Sequence, residues 1–227
     1  MKILSIDTAS NLCSISVLDN TNLLKENTLD DTKNHSEKVM PLISETLSSL
    51  NLGLKDIDLI VCDKGPGSFT GIRIGTATVL SFADSLGIKC IGISALESLL
   101  YNSEIKTKYA CSLINANNNN AYFALYEFNE NCYNLICDPD CKNINDIIDF
   151  CLSQGTSNIT FVGDGAEVYK NILLSRFSNC LIGEKNLLSS YSLGLAGFNA
   201  LNSGKLTDVL PLYLRKPQAE RALEEKK

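Results

Sequence analysis

The apolar residues of this chain spell the same order of elements twice. Residues 2–6 read as a strand, 12–18 alternate inward and outward as a second, and 22–27 form a third. The turn residues Asp19-Asn-Thr-Asn22 close a hairpin between the last two. A helix is predicted over 35–50, where Val39, Leu42, Ile43, Leu47 and Leu50 recur near helical spacing. Strand 59–62, helix 70–86, strand 89–93 and helix 95–101 follow. From residue 109 the order starts again: strands 109–114, 121–128 and 133–137, helix 143–152, strand 158–162, helix 166–176, strand 180–182 and helix 191–202. Both halves read β-β-β-α-β-α-β-α, with little sequence identity between them.

Three such strands with crossover helices make a mixed sheet covered on its faces. Two units side by side are the plan of the actin-like, Hsp70 and sugar-kinase superfamily, an α/β architecture of the ribonuclease-H-like kind. The predicted boundary lies at 102–108, where polarity rises and the hydrophobic period breaks, giving a first half 1–104 and a second half 105–227. The tail from 206 begins extended at 209–214 and ends charged. The run Asn117-Asn-Asn-Asn120 reads as a hairpin turn, with a binding loop as the alternative.

Charge narrows the function. The 227 residues carry a net charge of −6, and the longest basic runs are the pairs Arg215-Lys216 and Lys226-Lys227. Stand-alone nucleic-acid binding needs clustered Lys and Arg, so any RNA contact is local or made through a partner. The nine cysteines form no CxxC pair, and with one histidine a zinc site would need several thiolates. Their apolar surroundings suit small buried side chains in a reducing cytosol. The first apolar stretch is too short for a signal peptide, and no run reaches the length of a membrane span. A cytoplasmic protein is expected.

The string Lys64-Gly-Pro-Gly-Ser-Phe-Thr-Gly-Ile-Arg-Ile-Gly75 lies between a strand and a helix. Its spacing is neither that of a P-loop nor that of a dinucleotide fingerprint. Gly71 and Gly75 are one helical turn apart, which calls for a backbone at close range: the protein's own sheet, or a helix of another chain. Arg73 between them pairs with a carboxylate of this chain or of a partner. Asp7 ends the first strand, in Asp7-Thr-Ala-Ser10, either capping its own turn or serving a phosphate or metal. Gly163-Asp-Gly165 is its counterpart in the second half, an anion-facing turn or a plain tight turn. His35, the one histidine, opens the first long helix, and no GxSxG elbow exists. These residues yield no catalytic set and no metal-ligand set.

Taken together, Ile6-Asp-Thr-Ala9, Asn34-His-Ser-Glu37 with Pro41, the glycine-rich string, Ile91-Gly-Ile-Ser-Ala-Leu-Glu97 and Pro211-Leu-Tyr-Leu-Arg215 resemble the TsaB (YeaZ) family of bacterial tRNA threonylcarbamoyladenosine biosynthesis proteins. The chain departs from the family at Asn115, Asn117 and Asn120, where similar proteins tend to carry charged residues. The resemblance implies a non-catalytic paralogue of TsaD, the enzyme that transfers threonylcarbamoyl to the adenosine beside the anticodon. TsaD carries a His-x-x-x-His metal pair where this chain has Ser94-Ala-Leu-Glu-Ser98. It also implies a scaffold that pairs with TsaD, joins TsaE in a larger complex, is able to homodimerise, and meets tRNA only through the complex. ATP and a metal ion are then used by the partners, with no cofactor of its own. The implied docking face comprises His35, Val39, Leu42, Gly71, Arg73, Gly75 and Thr78, so that Gly75→Leu should break pairing and leave the monomer folded. Asp7, Thr8, Gly163 and Gly165 are then remnants of phosphate loops. A metal-dependent peptidase of the glycoprotease type and a weak ATP-binding ATPase stand as alternatives.

Overall fold

A computed structural model describes residues 1–10, 12–29, 35–102, 104–105, 107–129 and 132–216, with backbone alone at His35, Ser36 and Cys132. Two five-stranded sheets form the frame. The first has strands β1 (Lys2–Asp7), β2 (Cys13–Asp19), β3 (Asn22–Leu29), β4 (Leu59–Asp63) and β5 (Lys89–Ile93), in the order β3-β2-β1-β4-β5. The second has β6 (Tyr109–Asn115), β7 (Asn120–Asn129), β8 (Cys132–Asn143), β9 (Asn158–Val162) and β10 (Asn179–Ile182), in the order β10-β9-β6-β7-β8. In each, a central strand pairs antiparallel with a hairpin partner and parallel with a crossover strand. The duplicated order read from the sequence is therefore a duplicated sheet.

Alternation along the strands sends apolar residues to both faces. On the first sheet, Leu4, Ile6, Ile15, Val17, Ile60 and Cys62 meet helices α1 (His35–Ser48) and α2 (Phe69–Leu86) through Val39, Leu42, Ile43, Leu47 and Val79. Ser68 caps α2 by accepting the Gly71 N–H at 3.2 Å, and Gly87 ends it at φ 68°. On the second sheet, Leu113, Phe123, Leu125 and Phe161 meet α4 (Ile144–Ser153), α5 (Asp164–Val168) and α6 (Lys170–Arg176). The predicted helix 166–176 is thus two helices, broken at Tyr169, and the strand predicted at 133–137 extends to Asn143.

The remaining helices change places. α3 (Ala95–Ser98) and its 3-10 turn Leu99–Tyr101 follow β5 of the first sheet, yet Leu96, Leu99 and Leu100 pack on Ala110, Ala124, Tyr126 and Val162 of the second. α7 (Ser190–Asn202) follows β10 of the second sheet, yet Leu193, Ala196 and Ala200 pack on Ile3, Leu18, Val61, Ile91 and Ile93 of the first. Gly197 lets α7 lie against Val61, and Gly194 against Ser5 and Leu18. Glu26 of β3 fixes the helix start: its Oε1 accepts from Ser189 Oγ (2.8 Å), Ser190 Oγ (3.0 Å) and the Tyr191 N–H (3.0 Å). The division at 104/105 therefore does not separate two self-sufficient halves. Each covers one face of the other's sheet.

Candidate functional site: an interlocked cleft and a two-helix face

Two loops at the carboxyl end of the first sheet grip each other. The Ser68 N–H donates to Ala9 O at 2.7 Å, and Thr8 Oγ1 donates to Gly71 O at 2.7 Å. A Cβ at Gly67 would overlap the Ala9 carbonyl, one at Gly71 the Thr8 carbonyl, and one at Gly75 the Thr8 hydroxyl. Glycine at Gly67, before the Ser68 cap, and at Gly71 and Gly75, one turn apart within α2, is the condition for α2 to lie along residues 8–9. The close neighbour expected at Gly71 and Gly75 is thus the chain's own β1–β2 loop, and these two glycines do not lie on a docking face. Gly75→Leu would drive a side chain into Thr8 and damage the fold itself.

Beneath the loops, Asp7 and Asp63 end adjacent parallel strands with both carboxyls buried. Asp7 accepts from the Ala9 N–H (2.9 Å), the Ser10 N–H (3.3 Å) and Ser10 Oγ (3.0 Å). Asp63 accepts from the Gly65 N–H at 2.7 Å. Burial pushes Asp63 well above the usual carboxylate range, and the neighbouring Asp7 charge pushes it further. Burial also raises Asp7, but its hydrogen bonds oppose the rise. Of the two raised carboxyls, Asp63 is thus the one pushed further toward its protonated form. The same burial, with the charge on Asp7, lifts the Cys13 thiol to about 11.

Above the loops lies a cleft of about 290 Å³ between the two halves, walled by Ala9, Ser10 and Ser68 on one side and Asn115 and Asp164 on the other, with Arg215 among its lining. Gly163, at φ 102°, and Gly165 bring the second wall against Leu113 of β6. The Gly163 N–H donates to Asn186 Oδ1 at 2.9 Å, and Asp164 Oδ1 accepts the Asn115 N–H at 3.0 Å. Hence the N–H groups of Ala9, Ser10, Ser68 and Gly163 are all engaged inside the protein. Asp7 holds its own turn, Thr8 holds Gly71, Gly163 holds Asn186, and Gly165 lies against Leu113.

The outer faces of α1 and α2 are different in kind. Glu37, Lys38, Met40, Pro41, Ser44 and Glu45 are exposed on α1, and Thr70, Arg73, Ala77, Leu80 and Ser81 on α2. Met40 is 49% exposed and Leu80 45%. Arg73 Nε donates to Tyr213 Oη at 2.9 Å, and its guanidinium lies 5.6 Å from the Phe69 ring centroid and 5.7 Å from that of Tyr213.

Residues 22–223 match the family model of TsaD, the tRNA N6-adenosine threonylcarbamoyltransferase. The tRNA threonylcarbamoyladenosine biosynthesis protein TsaB of Bacillus subtilis is 27% identical over 173 residues, 76% of this chain and 75% of its own. That of Haemophilus influenzae is 25% identical over 232 residues, covering 95% and 94% of the two chains. The chain belongs to the TsaD family, on its TsaB (YeaZ) branch. A Pseudomonas aeruginosa protein described as similar to the peptidase YeaZ superposes at TM-score 0.75 with 22% identity, over 94% of this chain and 99% of its own. An activator of 2-hydroxyisocaproyl-CoA dehydratase from Clostridium difficile, solved with ADPNP, superposes at TM-score 0.50 with 9% identity, over 90% and 97% of the chains. The shared fold extends to that distance.

The segment that the family resemblance sets against a histidine metal pair reads Ser94 to Ser98 in this chain. Both serines are buried. Ser94 Oγ accepts the Leu96 N–H at 3.2 Å, and Ser98 Oγ donates to Ala95 O at 2.9 Å, so each caps or braces α3. Hydroxyls so engaged do not fit a site built on two imidazoles. Among the described residues, no group of three or more His, Cys, Asp or Glu side chains gathers around a point, and no helix is long and apolar enough to cross a membrane.

Of the expected docking residues, Arg73 is exposed and Thr78 half-buried on α2. Val39 and Leu42 are buried in the core beneath α1, because they form the stripe that covers the sheet. The His35 side chain lies outside the described residues. Met40, Leu80 and Asp63 were not anticipated. The signal for the first two was present: they interrupt the polar side of each helix, away from the stripe.

Proposed function

We propose that this chain is the non-catalytic subunit of the complex that installs N6-threonylcarbamoyl on the tRNA adenosine beside the anticodon, and that it acts by docking on TsaD through the outer face of α1 and α2. The observation that supports this is the apolar surface of Met40, Pro41, Ala77 and Leu80 on two packed helices whose inner sides already fill the core. Scattered exposed leucines mean little, whereas apolar residues grouped within a polar rim mark a protein interface. In the absence of TsaD a second copy of the chain occupies the same face. TsaE joins the assembled pair, and TsaD and TsaE supply the ATP and metal chemistry. The net charge of −6 leaves tRNA contact to the complex, in the cytoplasm.

Threonylcarbamoyl transfer reconstituted from cognate TsaD, TsaE and the threonylcarbamoyl-adenylate synthase should lose most of its product when this chain is omitted. Undiminished product would end the proposal. Leu80→Glu should weaken binding to TsaD about tenfold or more, with an unchanged circular dichroism spectrum. Equal affinity would remove α2 from the interface. The purified chain alone should cleave no peptide. Proteolysis that follows the pure chain and requires metal would favour the peptidase reading.

A further inference from the structure

After α7 the chain runs along the first half as an extended segment outside the strand ladder. The Gly92 N–H donates to Thr207 O at 3.1 Å, Thr207 Oγ1 returns a bond to Gly92 O, and the Leu212 N–H donates to Lys64 O at 2.8 Å. Val209 is buried among the core residues under α1 and α2. A Cβ at Gly92 would meet Asp208 O at 2.6 Å, so glycine there admits the segment to the sheet end. Next, the Tyr213 ring stacks on Phe69 at the start of α2, with centroids 4.2 Å apart and planes 1° from parallel, and accepts from Arg73. Two residues later, Arg215 leaves the first half: its Nη1 donates at 2.8 Å to the carbonyl of Ala116, in the β6–β7 turn of the second half, beside the cleft.

The root of this segment is firm and its end is not. Val209 and the glycine-fitted backbone hold it by burial, while Arg215 holds the second half by a half-buried side chain on one turn carbonyl. A bond of that kind contributes far less than the buried apolar contacts through which α3 and α7 join the halves. We propose that residues 207–215 are a strap that ties the β6–β7 turn at the rim of the cleft to the first half, with Arg215 as its catch, and that Tyr213 passes the state of the catch to the docking face of α2. Residues 213 and 215 are separated by at most about 7 Å of chain, so the ring stacked on α2 and the guanidinium on the turn are held by one short stretch of backbone. Tyr213 also sets where the Arg73 charge stands on that face. The second limb of the proposal rests on the docking function above.

Hydrogen exchange of the full chain, free and bound to TsaD, tests both limbs. The amides to follow are those of the turn, where the Ala116 N–H donates to Asn120 O at 2.9 Å and the Asn120 N–H to Asn117 O at 3.0 Å, and those of the first turns of α2. Arg215→Ala should speed exchange in the turn about tenfold and also speed it at the start of α2, with β1 and β4 unchanged as the control for folding. Tyr213→Ala should show the converse effect, loosening the turn as well as α2. If each variant alters only its own neighbourhood, the strap is overturned. Arg215→Ala should also weaken TsaD binding about threefold, and unchanged affinity alongside the cross-effect would overturn the link to docking. A wild-type chain that does not bind TsaD would defeat the docking function, while exchange in the free chain would still decide whether the catch works.

Discussion

Two carboxyls buried side by side at the ends of β1 and β4 cannot both ionise at ordinary cost, and burial with the Asp7 charge raises Asp63 the further of the two. A carboxyl whose folded value is raised binds its proton more tightly in the native state. Its contribution to stability is complete below the unfolded carboxyl value of about 4 and is lost as pH rises through the raised folded value. Asp63→Asn supplies a permanent donor to Asp7 and an acceptor to the Gly65 N–H. Denaturant titrations should show the variant gaining about 1–2 kcal/mol on wild type between roughly pH 4 and pH 8. Parallel pH profiles would refute the raised Asp63 value. Asp7 was visible in the sequence because it ends a strand in Asp7-Thr-Ala-Ser10. Asp63 was not, because its importance comes from register: Ile6 pairs with Cys62, and no local pattern reports what stands beside a strand end. The same limit hid Ser5, Ser16 and Ser112, whose buried hydroxyls find no partner among the described residues.

At the scale of elements, α2 shows how one helix serves two surfaces. Its inner glycines seat it on the loop after β1, and its outer residues face solvent. A methyl group at Gly71 would meet the Thr8 carbonyl, a backbone atom that cannot swing away. Gly71→Ala should therefore destabilise the fold by about 3 kcal/mol or more, read as a lowered Tm, and an unshifted Tm would show that the two loops are not locked. The order of elements was legible because apolar periodicity survives in each segment. The break between α5 and α6 was not, since Ala166 and Leu173 carry the apolar pattern across it and the kink resides in the backbone at Tyr169, φ −101° and ψ 12°. Nor was the far part of β8, where Asp138-Pro-Asp-Cys-Lys142 lacks alternation. An edge strand tolerates such a sequence because β7 alone supplies its pairing. The run of asparagines did announce its turn: residues 117, 118 and 119 all adopt left-handed φ of 52–59°, which asparagine bears better than other side chains.

For the whole molecule, the exchange of α3 and α7 decides what counts as a unit. Local patterns put a boundary at 102–108, where the chain passes from the first sheet to the second, but could not say which sheet a helix would cover, because Leu96 and Leu193 are apolar for either destination. A polypeptide severed near residue 104 would yield two fragments, each with an uncovered greasy sheet and a stray amphipathic helix meant for its neighbour. Alone, each should precipitate or remain unstructured. Coexpressed, they should find each other and elute together as a species of native mass. Soluble, independently folded fragments would contradict the crossing. An architecture of this kind ties its two repeats into mutual dependence, so neither can be lost, transplanted or replaced without the other.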